Sequence, residues 1–334
     1  HHSSASLGIS LFQKTDTDES EVLKRADVAM YEAKDLGRNR SCFYSEVRQA
    51  LVDNRSALAH DMQIGLEREE FSLYLQPQFW GTGEICVAEA LLRWFPPGRD
   101  PVSPGSFIPV AENTGLILPL GEWVLEKACA YLADLNHFDL PDSFGIAVNI
   151  SARQFVDEHF VEKVSSIFSR TGIDPCRLKF ELTESCLIQD MERGQVILNE
   201  LRNIGVGVEL DDFGTGYSSL HSINNLPLNA LKLDRSLIQD IEKEGSNTAI
   251  VRAALAMAKA MSMKTVAEGV ETREQKEFLV REGCEMLQGF YYARPMPHGE
   301  FIEFLGRQGI VRHPLKETPP FPREENQSVP AISV

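Results

Sequence analysis

The sequence predicts an α/β fold, a modified TIM (β/α)8 barrel with an antiparallel first strand. Eight strand-like apolar runs recur after residue 70, and helical patterns fill most of the gaps that follow the second run. The first gap is different, because only residues 80–85 (WGTGEI) separate the first two runs. A crossover between parallel neighbours needs about a dozen residues, so these two strands are predicted to form a hairpin.

The elements of the barrel follow one another in a regular order. The predicted strands cover residues 71–79, 86–94, 144–151, 177–184, 205–212, 230–234, 264–270 and 286–292. The predicted helices cover about 121–136, 157–171, 190–203, 245–262 and 272–282, where apolar residues recur with helical spacing. Strands that alternate with helices in this way are typical of a parallel sheet.

The residues before the barrel predict a small piece of another domain. Residues 7–12 (LGISLF) are strand-like, and a helical stripe follows from about Glu19 to Leu36, where Gly37 is suited to end it. One strand and one helix cannot bury a core alone, so this piece is interpreted as the end of a domain whose start is missing. The opening residues His1–Ser4 (HHSS) are read as an expression-tag remnant.

The sequence thus divides into four predicted segments. Residues 1–44 hold the tag remnant and the domain fragment, and residues 45–68 form a connecting helix. Residues 69–308 form the barrel, and residues 309–334, rich in proline and polar side chains, are expected to be a disordered tail.

The composition excludes several classes of function. The 334 residues include 33 Lys and Arg against 49 Asp and Glu, a formal net charge of −16, which argues against a duplex nucleic acid partner. No run of about 18 uncharged apolar residues is present, so this fragment is expected to make no membrane contact. The six cysteines form no C-x-x-C pair, which favours a reducing, cytoplasmic location, although missing upstream segments could tether a longer protein to the inner membrane.

Polar side chains mark the carboxyl ends of the predicted strands, where barrel enzymes build their sites. Any one of these residues alone is explained as a solvated or salt-bridged strand end. Several carboxylates close together, however, need compensating cations. Oxygen ligands without His or Cys favour Mg²⁺ or Mn²⁺ over Zn²⁺, and two ions fit if one of the adjacent aspartates bridges them. These residues are Glu89, Asn149, Glu181, Glu184, Asp211, Asp212, Lys232, Asp234, Glu268, Glu271 and Gln288.

Several motifs in this order resemble the EAL family of cyclic di-GMP phosphodiesterases. They are EALLRW (89–94), FELTES (180–185), DDFGTGYSSL (211–220), KLDRS (232–236), AEGVE (267–271) and QGFYYARP (288–295), and the resemblance runs from about residue 58 to 306. Residues 7–44 resemble the last strand and helix of a GGDEF diguanylate cyclase domain. The segment that would carry the cyclase signature is absent, so this fragment is not expected to make cyclic di-GMP.

The resemblance implies a site with two metal ions and a hydrolytic activity. It assigns Glu89, Asn149, Glu181 and Asp211 to the first ion, with Asp211 bridging to a second ion held also by Asp212 and Glu268. Either Glu268 or Lys232 would manage the proton. Cyclic di-GMP would be opened to linear pGpG, with Mg²⁺ or Mn²⁺ supporting turnover and Ca²⁺ inhibiting it.

The resemblance also assigns residues that hold the ligand and one that anchors a loop. The ligand-binding positions are Gln76, Leu91, Arg93, Asp234, Glu271 and Gln288. Glu184 would anchor the loop from Asp212 to Ser219, which could link packing in a homodimer to activity. A receptor that binds cyclic di-GMP without cutting it is the alternative, and it is disfavoured because all these positions are retained.

Overall fold

The computed structural model describes residues 4–12, 18–35, 38–188, 191–214, 226–239, 241 and 246–312. They fall into two compact units. The first contains described residues of His1–Ser72 and Leu92–Leu120, and the second those of Leu73–Leu91 and Gly121–Val334. The predicted tail after residue 312, residues 1–3 of the predicted tag remnant and residues 215–225, which include most of the predicted loop 212–219, lie outside the described residues.

The first unit contains the elements that precede the barrel. Its strands β1 (Leu7–Ile9) and β2 (Ser41–Phe43) pair in parallel, and β2 was not predicted from the sequence. Helix α1 (Glu19–Asp35) lies so close to β1 that a side chain at Gly8 would collide with the helix backbone. The short parallel pair with its connecting helix is a β-α-β unit, which gives this fragment more order than one strand and one helix.

Two further helices belong to the first unit. Helix α2 (Glu46–Glu67) confirms the predicted connecting helix, and α3 (Pro104–Thr114) was missed. The stretch around α3 contains two prolines and a glycine, which favour a loop in a sequence reading. Pro104 occupies the first turn of α3, where its missing N–H costs nothing, so the same residue starts the helix.

The sheet built from the described residues contains nine strands, of which the first eight form the barrel in sequence order. Strand β3 pairs with β10 and closes the barrel, and the short ninth strand β11 also pairs antiparallel with β3. The strands are β3 (Phe71–Trp80), β4 (Ile85–Trp94), β5 (Gly145–Asn149), β6 (Leu178–Thr183), β7 (Gly207–Phe213), β8 (Ala230–Leu233), β9 (Lys264–Ala267), β10 (Met286–Leu287) and β11 (Met296–Pro297).

The direction of β3 confirms the predicted antiparallel strand. Strands β4 to β10 pair in parallel with their neighbours, whereas β3 pairs antiparallel with β10. In the short connection after β3, the Trp80 N–H donates to the Glu84 carbonyl at 2.8 Å, as in a hairpin. The fold is therefore the predicted α/β barrel with one reversed strand.

The helices of the barrel follow its strands as the spacing predicted. They are α4 (Ile117–Leu135), α5 (Ala152–Phe155), α6 (Phe160–Thr171), α7 (Glu184–Ile188), α8 (Met191–Ile204), α9 (Arg235–Ile238), α10 (Ser246–Ala260), α11 (Arg273–Arg281) and α12 (His298–Arg307). The short helices α5, α7 and α9 directly follow strand ends, and α12 was missed because Pro297 and Gly299 resemble a turn. None of the helices built from the described residues has both the length and the apolar character that a bilayer crossing requires.

Candidate active site

On five strands of the barrel, an apolar residue that packs in the barrel interior is followed two positions later by a polar residue. Because alternate residues of a strand share a face, each polar residue projects into the same interior one layer nearer the strand's carboxyl end. The apolar residues form one cluster, and the polar ones are the predicted site residues. The pairs are Val87 and Glu89, Ala147 and Asn149, Ala230 and Lys232, Val266 and Glu268, and Met286 and Gln288.

A buried ammonium group forms the centre of this polar layer. Lys232 is completely buried, and its Nζ lies 2.8 Å from Glu181 Oε1, 2.6 Å from Glu268 Oε1 and 3.1 Å from Asp211 Oδ1. Glu89 Oε1 is farther away, at 3.9 Å. We call these five side chains the carboxylate cluster. With four acidic groups around one basic group, its charge is not balanced by the ammonium alone.

The carboxylate cluster shifts the pKa values of its members. Burial alone would lower the pKa of Lys232, but the surrounding carboxylates raise it well above its usual range. Burial raises the pKa of Glu268 to about 8 against the opposing effect of Lys232, although 21% of that side chain remains exposed. Burial and the negative charge of Glu89 raise the pKa of Glu181. The ammonium therefore stays charged, and protonation of a carboxyl relieves part of the excess negative charge.

Glu89 is held at both oxygens by side-chain amides. Its Oε1 accepts from Asn149 Nδ2 at 2.9 Å, and its Oε2 accepts from Gln288 Nε2 at 2.6 Å. Burial would raise the pKa of Glu89, but Lys232 and these amide donors outweigh it and lower that pKa. The same Gln288 Nε2 also donates to Gln76 Oε1 at 3.0 Å. Glu89 is thus a fixed, ionised carboxylate.

Strand β7 is irregular where two consecutive aspartates occur. Between Leu210 and Phe213 it contains one residue more than the paired stretch of β8, and Asp212 has a φ of +57°. Neighbouring side chains of a regular strand point to opposite faces, whereas a bulge breaks this alternation. Burial and the charge of Asp211 raise the pKa of Asp212. The two carboxylates therefore lie close enough for the charge of Asp211 to affect the pKa of Asp212.

A pocket adjoins the carboxylate cluster in the second unit. Six of its lining residues were predicted from the sequence, namely Gln76, Glu89, Leu91, Glu268, Glu271 and Gln288. Four were not predicted, namely Arg235, Gly269, Gly289 and Phe290. Three of the four, Arg235, Gly269 and Gly289, directly follow a residue assigned to the site, and Phe290 follows Gly289. This adjacency is the signal that could have found them.

Two of the additional residues bring charge and an aromatic face to the pocket rim. Arg235 Nη2 lies 2.8 Å from Glu271 Oε1. Phe290 is 43% exposed, and the Arg294 guanidinium lies 4.1 Å from its ring centroid. The rim therefore offers a hydrogen-bonding edge and a partly exposed ring, a combination that suits a heteroaromatic ligand.

Arg93, Asp234 and Glu184 lie outside both the carboxylate cluster and the pocket lining. Arg93 belongs to the first unit, where its Nη1 donates to the Leu92 carbonyl. Asp234 caps α9 by accepting from the Ser236 N–H at 2.9 Å. Glu184 is the half-buried first residue of α7, and most of the loop that it was predicted to anchor lies outside the described residues.

The donor set fits a hard divalent cation. All the candidate ligands offer oxygen, and apart from its ion pair with Lys232 the buried Glu181 carboxylate has no hydrogen-bond donor among the described residues. Within the described part of the chain, no three His, Cys, Asp or Glu side chains are already arranged around a metal position. Four of the predicted ligands lie around Lys232 instead, namely Glu89, Glu181, Asp211 and Glu268.

Comparison with known proteins places these observations in a family. The EAL domain family matches residues 59–295. The bifunctional diguanylate cyclase/cyclic di-GMP phosphodiesterase MucR of Pseudomonas aeruginosa is 43% identical over 303 residues, which are 90% of this chain and 44% of that protein. The cyclic di-GMP phosphodiesterase PdeR of Escherichia coli is 36% identical, over 92% of this chain and 46% of its own length. The chain thus spans about half the length of these curated relatives.

Solved structures agree with the sequence comparison. The structure described as the PaMucR phosphodiesterase in complex with c-di-GMP superposes with a TM-score of 0.69 at 42% identity, covering 73% of this chain and 99% of that one. The EAL enzyme Bd1971 bound to cAMP and cyclic-di-GMP superposes with a TM-score of 0.73 at 27% identity, covering 87% of this chain and 77% of that one. The barrel is therefore shared with solved proteins that bind a cyclic dinucleotide.

Proposed function

The chain belongs to the EAL domain family, and we propose that it hydrolyses cyclic di-GMP to linear pGpG as a metal-dependent phosphodiesterase. The observation that carries this proposal is that the carboxylate cluster lies beside a pocket lined by six of the residues predicted for the site. The names of MucR and PdeR support the activity, and the MucR complex supports the ligand. The family implies dependence on divalent metal ions, and Mg²⁺ and Mn²⁺ are the ions that an all-oxygen donor set favours.

The residues that would hold metal lie on four neighbouring strands, β4 to β7, and directly after β9. Glu89, Asn149, Glu181 and Asp211 would hold one ion, and Asp211 would share its carboxylate with a second ion held by Asp212 and Glu268. Divalent ions bound here would supply positive charge for the phosphoryl oxygens and make water acidic enough to attack at neutral pH. Their charge would also offset the acidic excess of the carboxylate cluster.

The protein's own groups would handle the proton and part of the phosphate charge. Lys232 and Glu268 are 2.6 Å apart, so a proton passed to one is within reach of the other. The Lys232 ammonium also provides a fixed donor in a dry interior, where stabilisation of developing charge is strong. We propose this pair as the proton-handling unit of the site.

The ligand would be held by residues around the pocket and beyond it. Gln76, Leu91, Glu271 and Gln288 line the pocket, and Arg93 and Asp234 are proposed to complete the binding surface. A guanidinium donates two parallel hydrogen bonds to a phosphate, which is why we assign that role to Arg93. Glu184 is proposed to anchor the loop that follows Asp212.

Three wider features of the protein are also proposals. Residues 7–44 are proposed to derive from a GGDEF domain, which the bifunctional name of MucR supports. The barrel is proposed to form a homodimer and to act in the cytoplasm.

The proposal is tested by incubating the protein with cyclic di-GMP and Mg²⁺ or Mn²⁺ and separating the products by chromatography. We expect pGpG from the wild type and none from Glu89→Ala or Asp211→Asn, because each change removes a negatively charged metal ligand. Glu209→Gln is the matched control, since Glu209 is also a buried carboxylate of β7 but lies outside the carboxylate cluster. Binding without any product from the wild type would identify a receptor instead.

A further inference from the structure

A completely buried glutamine, Gln78, lies outside the predicted site and contacts one of its residues, Gln288. Gln78 lies on β3, two residues after Gln76, and is completely buried. Its Nε2 donates to Gln288 Oε1 at 2.8 Å. A buried glutamine in a strand interior needs a reason, because its amide loses water and must find partners within the protein.

The amide of Gln76 is oriented by a group that can only accept. Gln76 Nε2 donates to the Ala293 carbonyl at 3.1 Å, so Gln76 Oε1 must point the other way. That oxygen faces Gln288 Nε2 at 3.0 Å. The direction of the hydrogen bonds is therefore set by chemistry at this end of the network, since a backbone carbonyl has no hydrogen to give.

The amide of Gln288 is oriented in the same sense by Glu89. Its Nε2 donates to Glu89 Oε2 at 2.6 Å, so Glu89 also accepts. With two acceptors on its nitrogen side, Gln288 must present its oxygen to a donor. Gln78 is the donor that the structure provides.

We propose that Gln78 is a positioning residue that fixes the orientation of the Gln288 amide and, through it, the direction in which Glu89 presents its carboxylate to a divalent metal ion. The inference rests on the proposed function. Without Gln78, the Gln288 oxygen is left buried and unpaired, and rotation of the amide to relieve it would turn that oxygen towards two other acceptors. Glu89 would then lose a hydrogen-bond donor and its fixed position.

Two substitutions separate the hydrogen bond from packing. Gln78→Met keeps a similar length without any donor, and Gln78→Glu, compared at alkaline pH where its carboxyl is ionised, keeps the shape but offers only acceptors. Cys86→Ala is the matched control, because the buried Cys86 packs against the Gln78 backbone, with Sγ 3.3 Å from the carbonyl oxygen, and lies outside the network. All variants are compared with the wild type for melting temperature, kcat, KM and Mn²⁺ affinity measured from the free-ion EPR signal.

We expect both Gln78 variants to weaken Mn²⁺ binding and to lower kcat, each by about 10- to 100-fold, the usual effect of removing a group that orients a metal ligand. KM should change less, and Cys86→Ala should alter only the melting temperature. Gln78→Glu should be at least as impaired as Gln78→Met despite its native shape. Wild-type behaviour of Gln78→Glu, or Gln78 variants that behave like Cys86→Ala, would overturn the inference.

A double-mutant cycle tests whether Gln78 acts through Gln288 and does not depend on one variant folding well. In a Gln288→Met background, Gln78→Met or Gln78→Glu should cause no further loss of Mn²⁺ affinity, whereas additive losses would overturn the inference. The wild type distinguishes failure of the proposed function from failure of the inference about Gln78. If it neither binds Mn²⁺ nor yields product, the proposed function fails, whereas an active wild type with unaffected Gln78 variants contradicts the inference alone.

Discussion

Lys232 Nζ and Glu268 Oε1 are 2.6 Å apart at the end of two adjacent strands. The contact belongs to the carboxylate cluster, in which one ammonium faces four carboxylates. Removing one partner of a buried charged pair is far more costly than removing both, because a charge is left without compensation. Lys232 therefore has a structural role that can be measured separately from catalysis.

Lys232→Met should destabilise the metal-free protein strongly, by about 3–5 kcal/mol, because four buried carboxylates lose their only cationic neighbour in the carboxylate cluster. Mn²⁺ should restore much of the loss, since an ion that binds the folded state stabilises it by mass action. Thermal unfolding with and without Mn²⁺ measures both effects.

A half-buried lysine, Lys179, provides the control for that experiment. Lys179 Nζ lies 3.7 Å from the buried Glu209, outside the carboxylate cluster. Lys179→Met should also lower the melting temperature, but Mn²⁺ should raise it no more than in the wild type. An equal response to Mn²⁺ in both variants would show that the ion does not bind where we place it.

Turnover should depend on which divalent ion is present. Mg²⁺ binds oxygen at about 2.0–2.1 Å in an octahedron, whereas Ca²⁺ prefers about 2.3–2.6 Å and more ligands. We expect turnover with Mg²⁺ or Mn²⁺ and inhibition by Ca²⁺, with ligand binding retained. Product chromatography and calorimetry with cyclic di-GMP test this, and equal turnover in Ca²⁺ would argue against two closely spaced ions.

The barrel was predictable from the sequence because its strands and helices alternate at regular spacing. The site followed from the same regularity, since polar residues such as Glu89 and Lys232 interrupt apolar strands two residues after a small core residue. The hydrogen bonds of Gln78 were not predictable. A glutamine next to a proline resembles a residue of an exposed edge strand, and the spacing of apolar residues does not mark it as buried. The position of Lys232 among the carboxylates depends on five strands at once, and no single motif contains it.

Glu184→Ala tests the proposed loop anchor. We expect turnover to fall by about 100-fold, because small displacements of reacting groups are costly. Cyclic di-GMP affinity in Ca²⁺ should fall much less, since Gln76 and Gln288 belong to other strands. Dimerisation, measured by sedimentation, should weaken if the loop supports the interface.

An exposed glutamate at the start of the next helix gives the control for the loop experiment. Glu192→Ala in α8 should leave turnover, affinity and sedimentation unchanged. A collapse of affinity in Glu184→Ala with an intact dimer and residual rate would assign Glu184 to the ligand site and contradict the anchor.

His298 predicts a loss of stability in mild acid. Its ring stacks on the Tyr131 ring with the two centroids 4.0 Å apart, and its Nε2 lies 3.6 Å from Asp134 Oδ2. The Lys127 Nζ lies 5.8 Å from the Tyr131 ring centroid. Burial lowers the pKa of His298, assisted by Lys127 and opposed by Asp134. The unfolded chain therefore binds this proton more readily, and stability should decrease as pH falls below about 6.5 towards the folded value.

The measurement is thermal unfolding between about pH 7.5 and 5.5, a range that spans the ordinary histidine pKa. His298→Phe keeps the ring stack without a titrating nitrogen, so its melting temperature should depend less on pH than that of the wild type. His159→Gln, at an exposed position, is the control and should follow the wild type. Parallel pH profiles for all three proteins would contradict the assignment.

The bulge in β7 ties the length of this strand to its acidic content. Only Asp211 and Asp212 lie between Leu210 and Phe213, whereas one residue lies between the paired positions of β8. Deleting one residue there would restore a regular ladder with β8, but the deletion would remove one of the two aspartates. A change that makes the strand regular therefore also removes a carboxylate that is proposed to bind metal.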